Sequence, residues 1–268
     1  MTDVLQAIVA GARRSAETRM HAVPLLEMEG LAAPMRPRGA AFRASLAESG
    51  VGVIAECKRR SPSRGVLRDA YDPVAIAAGY AAAGAAGISV LTESSFFDGA
   101  LEHLRAVRAA VPTPVLRKDF VVNEYQVAEA RMAGADAVLL IVAALSAADL
   151  ARLRRYATDL GLMPLVEVHS GDELARAVDA GADTIGVNSR DLRTLEVDTS
   201  LFERLAPRFP RGIVSVAESG IRTPDDVGRL GRAGFDAFLI GERFMTDADP
   251  GAALAAFVRD ATEQRQDR

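Results

Sequence analysis

The sequence predicts an α/β protein, a (β/α)8 TIM barrel with an N-terminal helical extension. Three features support this prediction: eight short apolar runs, helical stretches between them, and a glycine motif that recurs roughly every fifty residues. Alternating strands and helices favour a parallel sheet with right-handed crossovers, and eight such units can close on themselves. A chain of 268 residues is long enough for one such barrel.

The predicted strands are short apolar runs rich in β-branched residues and bounded by turn-forming residues. In chain order they are Val51–Lys58, Gly87–Thr92, Pro114–Lys118, Ala137–Val142, Met163–Val168, Thr184–Asn188, Ile213–Ala217 and Ala237–Ile240. The repeat places a glycine, as a helix C-cap requires, shortly before each even-numbered strand: Gly84, Gly134, Gly181 and Gly234. The alternative, a doubly wound sheet, would place Gly-x-Gly-x-x-Gly after its first strand, and that motif is absent there.

Residues 1–50 differ in pattern from the rest of the chain. Helical spacing relates Val4, Leu5, Ile8, Val9 and Ala12, and a Pro-rich segment separates them from a second helical piece at 42–46. We interpret residues 1–50 as a helical extension packed on the barrel, residues 51–268 as the catalytic barrel, and the whole chain as one domain. The alternative for the extension is a loosely held tail.

Composition restricts the possible partners and compartment. A net charge of −4, the lack of a basic block and the absence of Trp argue against nucleic acid. The single Cys57 excludes an internal disulfide and fits a reducing cytosol, and His21, His103 and His169 lack metal-ligand spacing. No segment resembles a signal peptide or a membrane span. We therefore expect a cytoplasmic protein with no membrane contact.

The first strand breaks its own apolar pattern near its end. Side chains on a strand alternate between faces, so Ile54, Glu56 and Lys58 share one face and Cys57 points to the other. Because two charges at the end of a buried strand are costly unless they pair or act, this strand is a candidate for function. The turn that follows, Ser-Pro-Ser-Arg-Gly at 61–65, suits an anion.

Polar residues stand at the carboxyl ends of five further strands, where barrels of this kind hold their active sites. These residues are Arg117, Lys118 and Asp119; Glu167 and His169; Asn188 and Arg190; Glu218 and Ser219; and Gly241 and Glu242. A structural salt bridge would explain any single pair. Six strand ends that converge on one mouth predict a functional site.

Lys58 and Lys118 can both project toward the barrel axis. Two ammonium groups close together lower each other's pKa, and burial lowers it further, so we expect such a lysine to act as a general acid near neutral pH. Glu167 is the candidate base, although it and Glu56 also fit the role of counter-ion. Arg117 and Asp119 flank Lys118 on the opposite face, where an ordinary ion pair is expected.

The loops after strands seven and eight favour an anion site. In such barrels these loops often bind phosphate through backbone N–H groups and a short helix N-terminus. The segments at 217–221 and 239–243 each contain a glycine where the backbone must approach a ligand. Ser61 and Lys58 could complete this cradle from the first strand.

Six motifs carry a family resemblance. They read AECKRRSPSRG (55–65), SVLTE with FFDG (89–99), LRKDF (116–120), LVEVH (165–169), GVNSRDL (186–192) and VAESGI (216–221). Together they resemble the indole-3-glycerol-phosphate synthase family, in order and across nearly the whole chain. The resemblance implies an enzyme of tryptophan biosynthesis. It would convert 1-(2-carboxyphenylamino)-1-deoxyribulose 5-phosphate to indole-3-glycerol phosphate, carbon dioxide and water.

The resemblance also implies roles for particular residues. Lys118 would be the general acid and Glu167 the base. The rest of the catalytic set would be Lys58 and Glu56, which assist dehydration, Asn188 beside the substrate, and Glu218, which organises the lysines. Arg190 would bind the substrate carboxylate, and the phosphate site would be Ser61, Ser219, Gly220 and Gly241. The apolar walls around the anthranilate ring would be Phe97, Phe120 and Leu192.

The resemblance requires no cofactor and no metal, so the expected partner is a phosphorylated small molecule bound to a monomer or weak homo-oligomer. Glu242 departs from the family pattern because serine is frequent there, and an inward carboxylate would repel phosphate.

Two other functions stay open. A phosphosugar isomerase would share the phosphate loops but needs a cysteine and an aspartate as its acid–base pair. Ala55 is a poor match for that cysteine. A regulator that binds a phosphorylated metabolite would lack catalysis.

Overall fold

The computed structural model describes residues 4–48 and 50–266 and contains a closed barrel of eight parallel strands. We number the barrel strands in chain order: β1 (Gly52–Cys57), β2 (Gly87–Leu91), β3 (Val115–Lys118), β4 (Ala137–Ile141), β5 (Met163–Val168), β6 (Thr184–Asn188), β7 (Val214–Glu218) and β8 (Ala237–Ile240). Each strand pairs with its neighbour in the chain, and β1 pairs with β8, Gly52 lying opposite Ala237. The predicted (β/α)8 fold is confirmed.

Every predicted strand is present, with bounds that differ from the prediction by at most one residue at either end. The seventh strand was predicted as Ile213–Ala217, and it is Val214–Glu218. The difference matters because it places Glu218 inside the sheet, opposite Asn188 of β6. The glycines of the repeat follow helices with left-handed φ values of 81°, 91°, 79° and 109° at Gly84, Gly134, Gly181 and Gly234.

The α-helices are numbered in chain order. They are α1 (Val4–Ala22), α2 (Leu25–Ala32), α3 (Gly39–Ala47), α4 (Pro73–Ala82), α5 (Ser94–Phe97), α6 (Leu101–Ala110), α7 (Glu124–Met132), α8 (Ala147–Asp159), α9 (Gly171–Asp179), α10 (Ser200–Leu205), α11 (Pro224–Ala233), α12 (Glu242–Met245) and α13 (Pro250–Gln266). A short antiparallel hairpin, Arg60–Ser61 with Gly65–Val66, forms in the loop after β1. Within residues 4–48 and 50–266, no helix is long and apolar enough to cross a membrane.

The alternation of strand side chains divides the barrel into two layers. Outward residues such as Cys57 pack against the helices, whereas inward residues form a separate apolar core: Ile54, Leu116, Leu139, Leu165, Val216 and Leu239. Two residues further along four of these strands, the inward face becomes polar, with Glu56, Lys118, Glu167 and Glu218. The strand period of two therefore stacks a charged layer directly above an apolar one.

The helices of the extension pack at both ends of the barrel. Phe42 of α3 is fully buried in the inner core, and its ring occupies the space where a side chain at Gly87 would stand. At the other end, Leu5 and Ile8 of α1 join the same core. Between them, Met28 of α2 packs on α7. These contacts place α1, α2 and α3 against the barrel.

Candidate active site

One cavity of about 710 Å³ opens at the carboxyl ends of the strands. All the residues to which the family resemblance gave a catalytic or binding role line this cavity: Glu56, Lys58, Ser61, Phe97, Lys118, Phe120, Glu167, Asn188, Arg190, Leu192, Glu218, Ser219, Gly220 and Gly241. The barrel brings them together because parallel strands all end at the same rim.

Glu56 and Lys58 form an ion pair on β1 and the residue that follows it. The Lys58 Nζ atom lies 2.6 Å from Oε1 of Glu56. Burial raises the pKa of Glu56, but the ammonium groups of Lys58 and Lys118 outweigh it, so the pKa is lowered and the carboxylate is charged. A Cβ at Gly241 would stand 2.6 Å from this carboxylate oxygen, so glycine there leaves room for Glu56.

Lys118 lies among carboxylates. Its Nζ atom is 3.5 Å from Oε2 of Glu167 and 3.8 Å from Oε2 of Glu218. Burial alone would lower the pKa of Lys118, but the charged carboxylates nearby, Glu167 foremost and Glu56, raise it. The lowered pKa expected from a neighbouring ammonium is therefore wrong for Lys118, because the carboxylates around it outweigh burial. Lys118 holds its proton at neutral pH and can donate it.

Two buried carboxyl groups beside Lys118 have opposite protonation tendencies. Burial and the charge of Glu167 raise the pKa of Glu218 well above its ordinary value, so Glu218 keeps a proton. Burial also opposes ionisation of Glu167, but Lys118 and His169 outweigh it and lower its pKa. Glu167 is thus a charged carboxylate that faces an ammonium, which is the arrangement of a base next to an acid.

Gly186 on β6 is a site residue that the sequence reasoning missed. A Cβ at this position would overlap Oε1 of Glu218, so glycine is needed for Glu218 to occupy its position. An inward glycine in the middle of a barrel strand is a sign of such close approach, and Gly186 stands two residues before Asn188 on the same face.

Arg190 lies at the rim of the cavity. Its Nη1 donates to the backbone oxygen of Leu195 at 3.0 Å, and its backbone N–H donates to Oδ1 of Asn188 at 3.0 Å. The other guanidinium nitrogen, Nη2, is 3.5 Å from Oε2 of Glu242. Oε1 of Glu242 is 3.0 Å from Nε of Arg64. The unusual Glu242 carboxylate is therefore held between two guanidinium groups at the cavity rim.

The backbone after β7 has the conformation expected of an anion-binding loop. Ser219 and Gly220 both have positive φ, 66° and 72°, a region that is uncommon for serine. A Cβ at Gly220 would stand 2.7 Å from Cγ2 of Thr199. Ser61, from the loop after β1, and Gly241, just before α12, line the same cavity. Two backbone segments and a hydroxyl thus approach one region.

An apolar wall faces this polar region. The rings of Phe97 and Phe120 lie with their centroids 6.4 Å apart, and Leu192 packs against the same cluster. Ile8 of α1 also lines the cavity, a contribution of the extension that the sequence reasoning missed. The wall is suited to a flat aromatic group.

Arg117 and Asp119 form the ordinary ion pair that the sequence predicted. Arg117 lies 3.0 Å from Asp119 and 2.9 Å from Glu129 of α7. The only cysteine, Cys57, is buried in the outer layer against the helices, so it cannot serve as the acid–base group that the isomerase alternative requires.

The fold and the cavity define the class of protein: a (β/α)8 barrel whose mouth holds an ammonium group next to a buried carboxylate, beside an apolar wall. A family model described as indole-3-glycerol phosphate synthase matches residues 5–257. The chain belongs to this family.

Relatives at about 50% identity agree with this placement. The protein named indole-3-glycerol phosphate synthase 1 of Streptomyces coelicolor is 52% identical over 96% of this chain and 95% of its own length. The protein named indole-3-glycerol phosphate synthase from a Nocardioides species is 53% identical over 94% of this chain and 96% of its own length. Two structures are similar in fold alone. They are KGPDC from Streptococcus mutans (TM-score 0.62, 13% identity, 81% and 99% of the two chains) and thiamine phosphate pyrophosphorylase from Pyrococcus furiosus (0.60, 19%, 83% and 98%).

Proposed function

We propose that this chain converts 1-(2-carboxyphenylamino)-1-deoxyribulose 5-phosphate to indole-3-glycerol phosphate, carbon dioxide and water, as a step of tryptophan biosynthesis. Membership of the family supports the reaction. The single observation that carries the proposal is the position of Lys118, protonated and 3.5 Å from the charged Glu167 at the mouth of the barrel.

The proposed chemistry begins with proton donation. Lys118 protonates the substrate ketone, and the ring carbon that bears the carboxylate attacks the activated carbon. Carbon dioxide then leaves and the ring becomes aromatic again. In the last step the new hydroxyl takes a proton from a lysine ammonium group and leaves as water, while Glu167 removes a proton from the adjacent carbon. Glu56 and Lys58 assist this dehydration, and Glu218 and Asn188 hold the acid and base in place.

Substrate binding is assigned to three parts of the cavity. The phosphate is placed at Ser61, Ser219, Gly220 and Gly241, where the backbone comes close. Arg190 takes the carboxylate, because its fork can bind two oxygens at once. Phe97, Phe120 and Leu192 enclose the anthranilate ring. Acid–base groups are sufficient for this reaction, so the proposal includes no cofactor or metal.

We further propose that residues 1–50 and the barrel of residues 51–268 act as one folded unit. The burial of Phe42 in the barrel core and of Ile8 at the cavity supports this unit. The proposed compartment is the cytoplasm, and the proposed assembly is a monomer or weak homo-oligomer.

The test is a fluorescence assay of the purified chain with the carboxyphenylamino-deoxyribulose phosphate in the presence of EDTA. Indole fluorescence should appear, and the yield of carbon dioxide should equal that of indole product. A folded chain that gives no fluorescence would contradict the proposed reaction. Calorimetry with the same compound then separates a metabolite-binding regulator, which binds without turnover, from a protein with another ligand.

A further inference from the structure

The imidazole of His169 lies next to the proposed base on the side away from Lys118. His169 directly follows β5, and its Nε2 is 3.3 Å from Oε1 of Glu167. The other oxygen of this carboxylate, Oε2, faces Nζ of Lys118 at 3.5 Å. Glu167 is therefore placed between an ammonium group and an imidazole, with one oxygen toward each.

The second ring nitrogen of His169 faces outward to Glu173 in the first turn of α9. Nδ1 is 3.4 Å from Oε2 of Glu173, and the same oxygen accepts the backbone N–H of His169 at 2.7 Å. The backbone N–H of Glu173 in turn donates to Oγ of Ser170, the N-cap of the helix, at 3.2 Å. Glu173 is thus held by the start of the helix as well as by the ring.

Solvent access increases along this row of side chains. The exposed fraction is 1% for Glu167, 12% for His169 and 19% for Glu173. Oε1 of Glu167 and Nε2 of His169 are both buried, and neither has a hydrogen-bond partner within residues 4–48 and 50–266. The two atoms are 3.3 Å apart, which is within reach for exchange of a proton, and in such sites hydrogen bonds shorten when substrate binds.

The charges around the ring favour a proton on it. Burial lowers the pKa of His169, but Glu173 and Glu167, together with Asp191 from the loop after β6, outweigh it and raise the pKa above 6.5. These carboxylates therefore favour the protonated ring, and histidine is the side chain best suited to hold and pass on a proton near neutral pH.

The proposed reaction requires a proton from outside the site. The ketone oxygen takes up one proton and the leaving hydroxyl takes up another, whereas the carbon next to the nitrogen gives back one. Carbon dioxide leaves from a carboxylate and releases no proton. Each turnover therefore consumes one proton from solvent, and this proton must reach the buried pair of Lys118 and Glu167.

We propose that His169 passes this proton from Glu173 to Glu167. It acts on the reaction through Glu167 and does not itself touch the substrate. The inference rests on the proposed function. A proton on Glu173 moves to Nδ1 of the ring while Nε2 gives its proton to Oε1 of Glu167. The carboxyl group then turns so that this same proton faces Nζ and passes to the neutral amine of Lys118, which leaves Glu167 as a carboxylate again. The net result is one proton transferred inward and a lysine ready for the next donation.

The experiment compares His169→Ala and Glu173→Gln with the wild-type chain in the fluorescence assay, with and without added imidazole. We expect kcat to fall about tenfold or more in both variants, while the Kd for substrate changes less than about twofold. Imidazole should restore kcat of His169→Ala in a saturable manner and leave the wild type unchanged. The matched control is His21→Asn, at an exposed histidine of α1, which should retain wild-type kcat.

The other outcomes separate the two proposals. A wild-type chain without turnover would overturn the proposed reaction and the relay with it. An active wild type and a His169→Ala variant of equal kcat would overturn the relay alone. A loss of kcat that imidazole does not repair would show that the ring only holds Glu167 in place, which also overturns proton transfer. Circular dichroism of each variant shows whether it is folded, and Glu173→Gln tests the same path without touching the ring.

Discussion

Glu242 and Arg190 are joined across the cavity rim, with Oε2 of the carboxylate 3.5 Å from Nη2 of the guanidinium. Arg190 follows β6 and Glu242 begins α12 after β8, so the pair links the loops that follow these two strands, next to the proposed phosphate site. Arg64 lies 3.0 Å from the other oxygen of Glu242. An incoming phosphate or carboxylate must compete with Glu242 for these guanidinium groups.

Glu242→Gln should therefore bind substrate more tightly. The side chain of Glu242 is 27% exposed, so solvent weakens its repulsion, and we expect a decrease of about threefold in Kd. Calorimetry at two salt concentrations measures the change, which should shrink at high salt. Glu203→Gln is the matched control, because Glu203 pairs with Arg229 on the surface. Weaker binding by Glu242→Gln would mean that Glu242 orients Arg190 for the ligand.

Lys118→Met should remove turnover and keep substrate binding measurable. Methionine preserves an unbranched side chain but has no proton to donate, so kcat should fall by at least about 100-fold. Lys118→Arg is the informative partner variant. It retains the positive charge between Glu167 and Glu218, but a guanidinium does not release its proton. Near-normal turnover of the arginine variant would show that charge, rather than proton donation, is the function of Lys118.

Glu218→Gln should alter how stability depends on pH. The pKa of Glu218 is raised in the folded chain above its ordinary value of 4.5, so the folded chain binds more protons than the unfolded chain above that pH. Stability is then lost as pH rises from about 4.5 through the folded pKa. Glutamine does not titrate, so the variant should have the higher Tm at pH 8 and the same Tm at pH 4.

Melting curves between pH 4 and 9 measure this difference. Glu196→Gln, at an exposed position, should follow the wild-type curve throughout. A Tm difference for Glu218→Gln that stayed constant with pH would show that Glu218 is already charged in the folded chain, and the proton assigned to it would be wrong.

Phe42→Ala tests whether the extension and the barrel are one unit. Phe42 is fully buried in the inner core, so its removal should lower the free energy of unfolding by about 3–5 kcal/mol. Leu26→Ala is the control, since Leu26 of α2 is 81% exposed and should change that free energy by less than about 0.5 kcal/mol. Urea unfolding measures both. A loss below about 1 kcal/mol for Phe42→Ala would favour a loosely held tail.

Local sequence pattern was sufficient to predict the strands and the direction of their side chains. The apolar runs located β5, β6 and β8 at their observed bounds, and the period of two placed Glu56 on the inner face with Ile54. These features depend on near neighbours in the chain, and the repeated glycines marked where the helices end. The motifs at the strand ends located the cavity because the end of each strand also depends on near neighbours in the chain.

Features that depend on residues far apart in the chain were not predictable in this way. The pKa of Lys118 is raised because barrel closure brings the carboxylates of Glu167 and Glu56 close to it, and no local pattern gives those distances. The contact of Ile8 with the cavity depends on how α1 crosses the mouth of the barrel. The space that Gly186 leaves for Glu218 depends on the tilt of two strands.

The pairing of β1 with β8 determines when the site can exist during synthesis. Glu56 is made early, but the strand that completes its side of the barrel is the last of the eight barrel strands to be synthesised. Until then β1 and β7 each present an unpaired edge, to which other nascent chains can add. A ribosome that stops before β8 consequently releases a chain with two unpaired strand edges. That chain also lacks Gly241, the glycine that leaves space for the Glu56 side chain. The charged layer of the barrel is therefore assembled only after all eight strands have been synthesised.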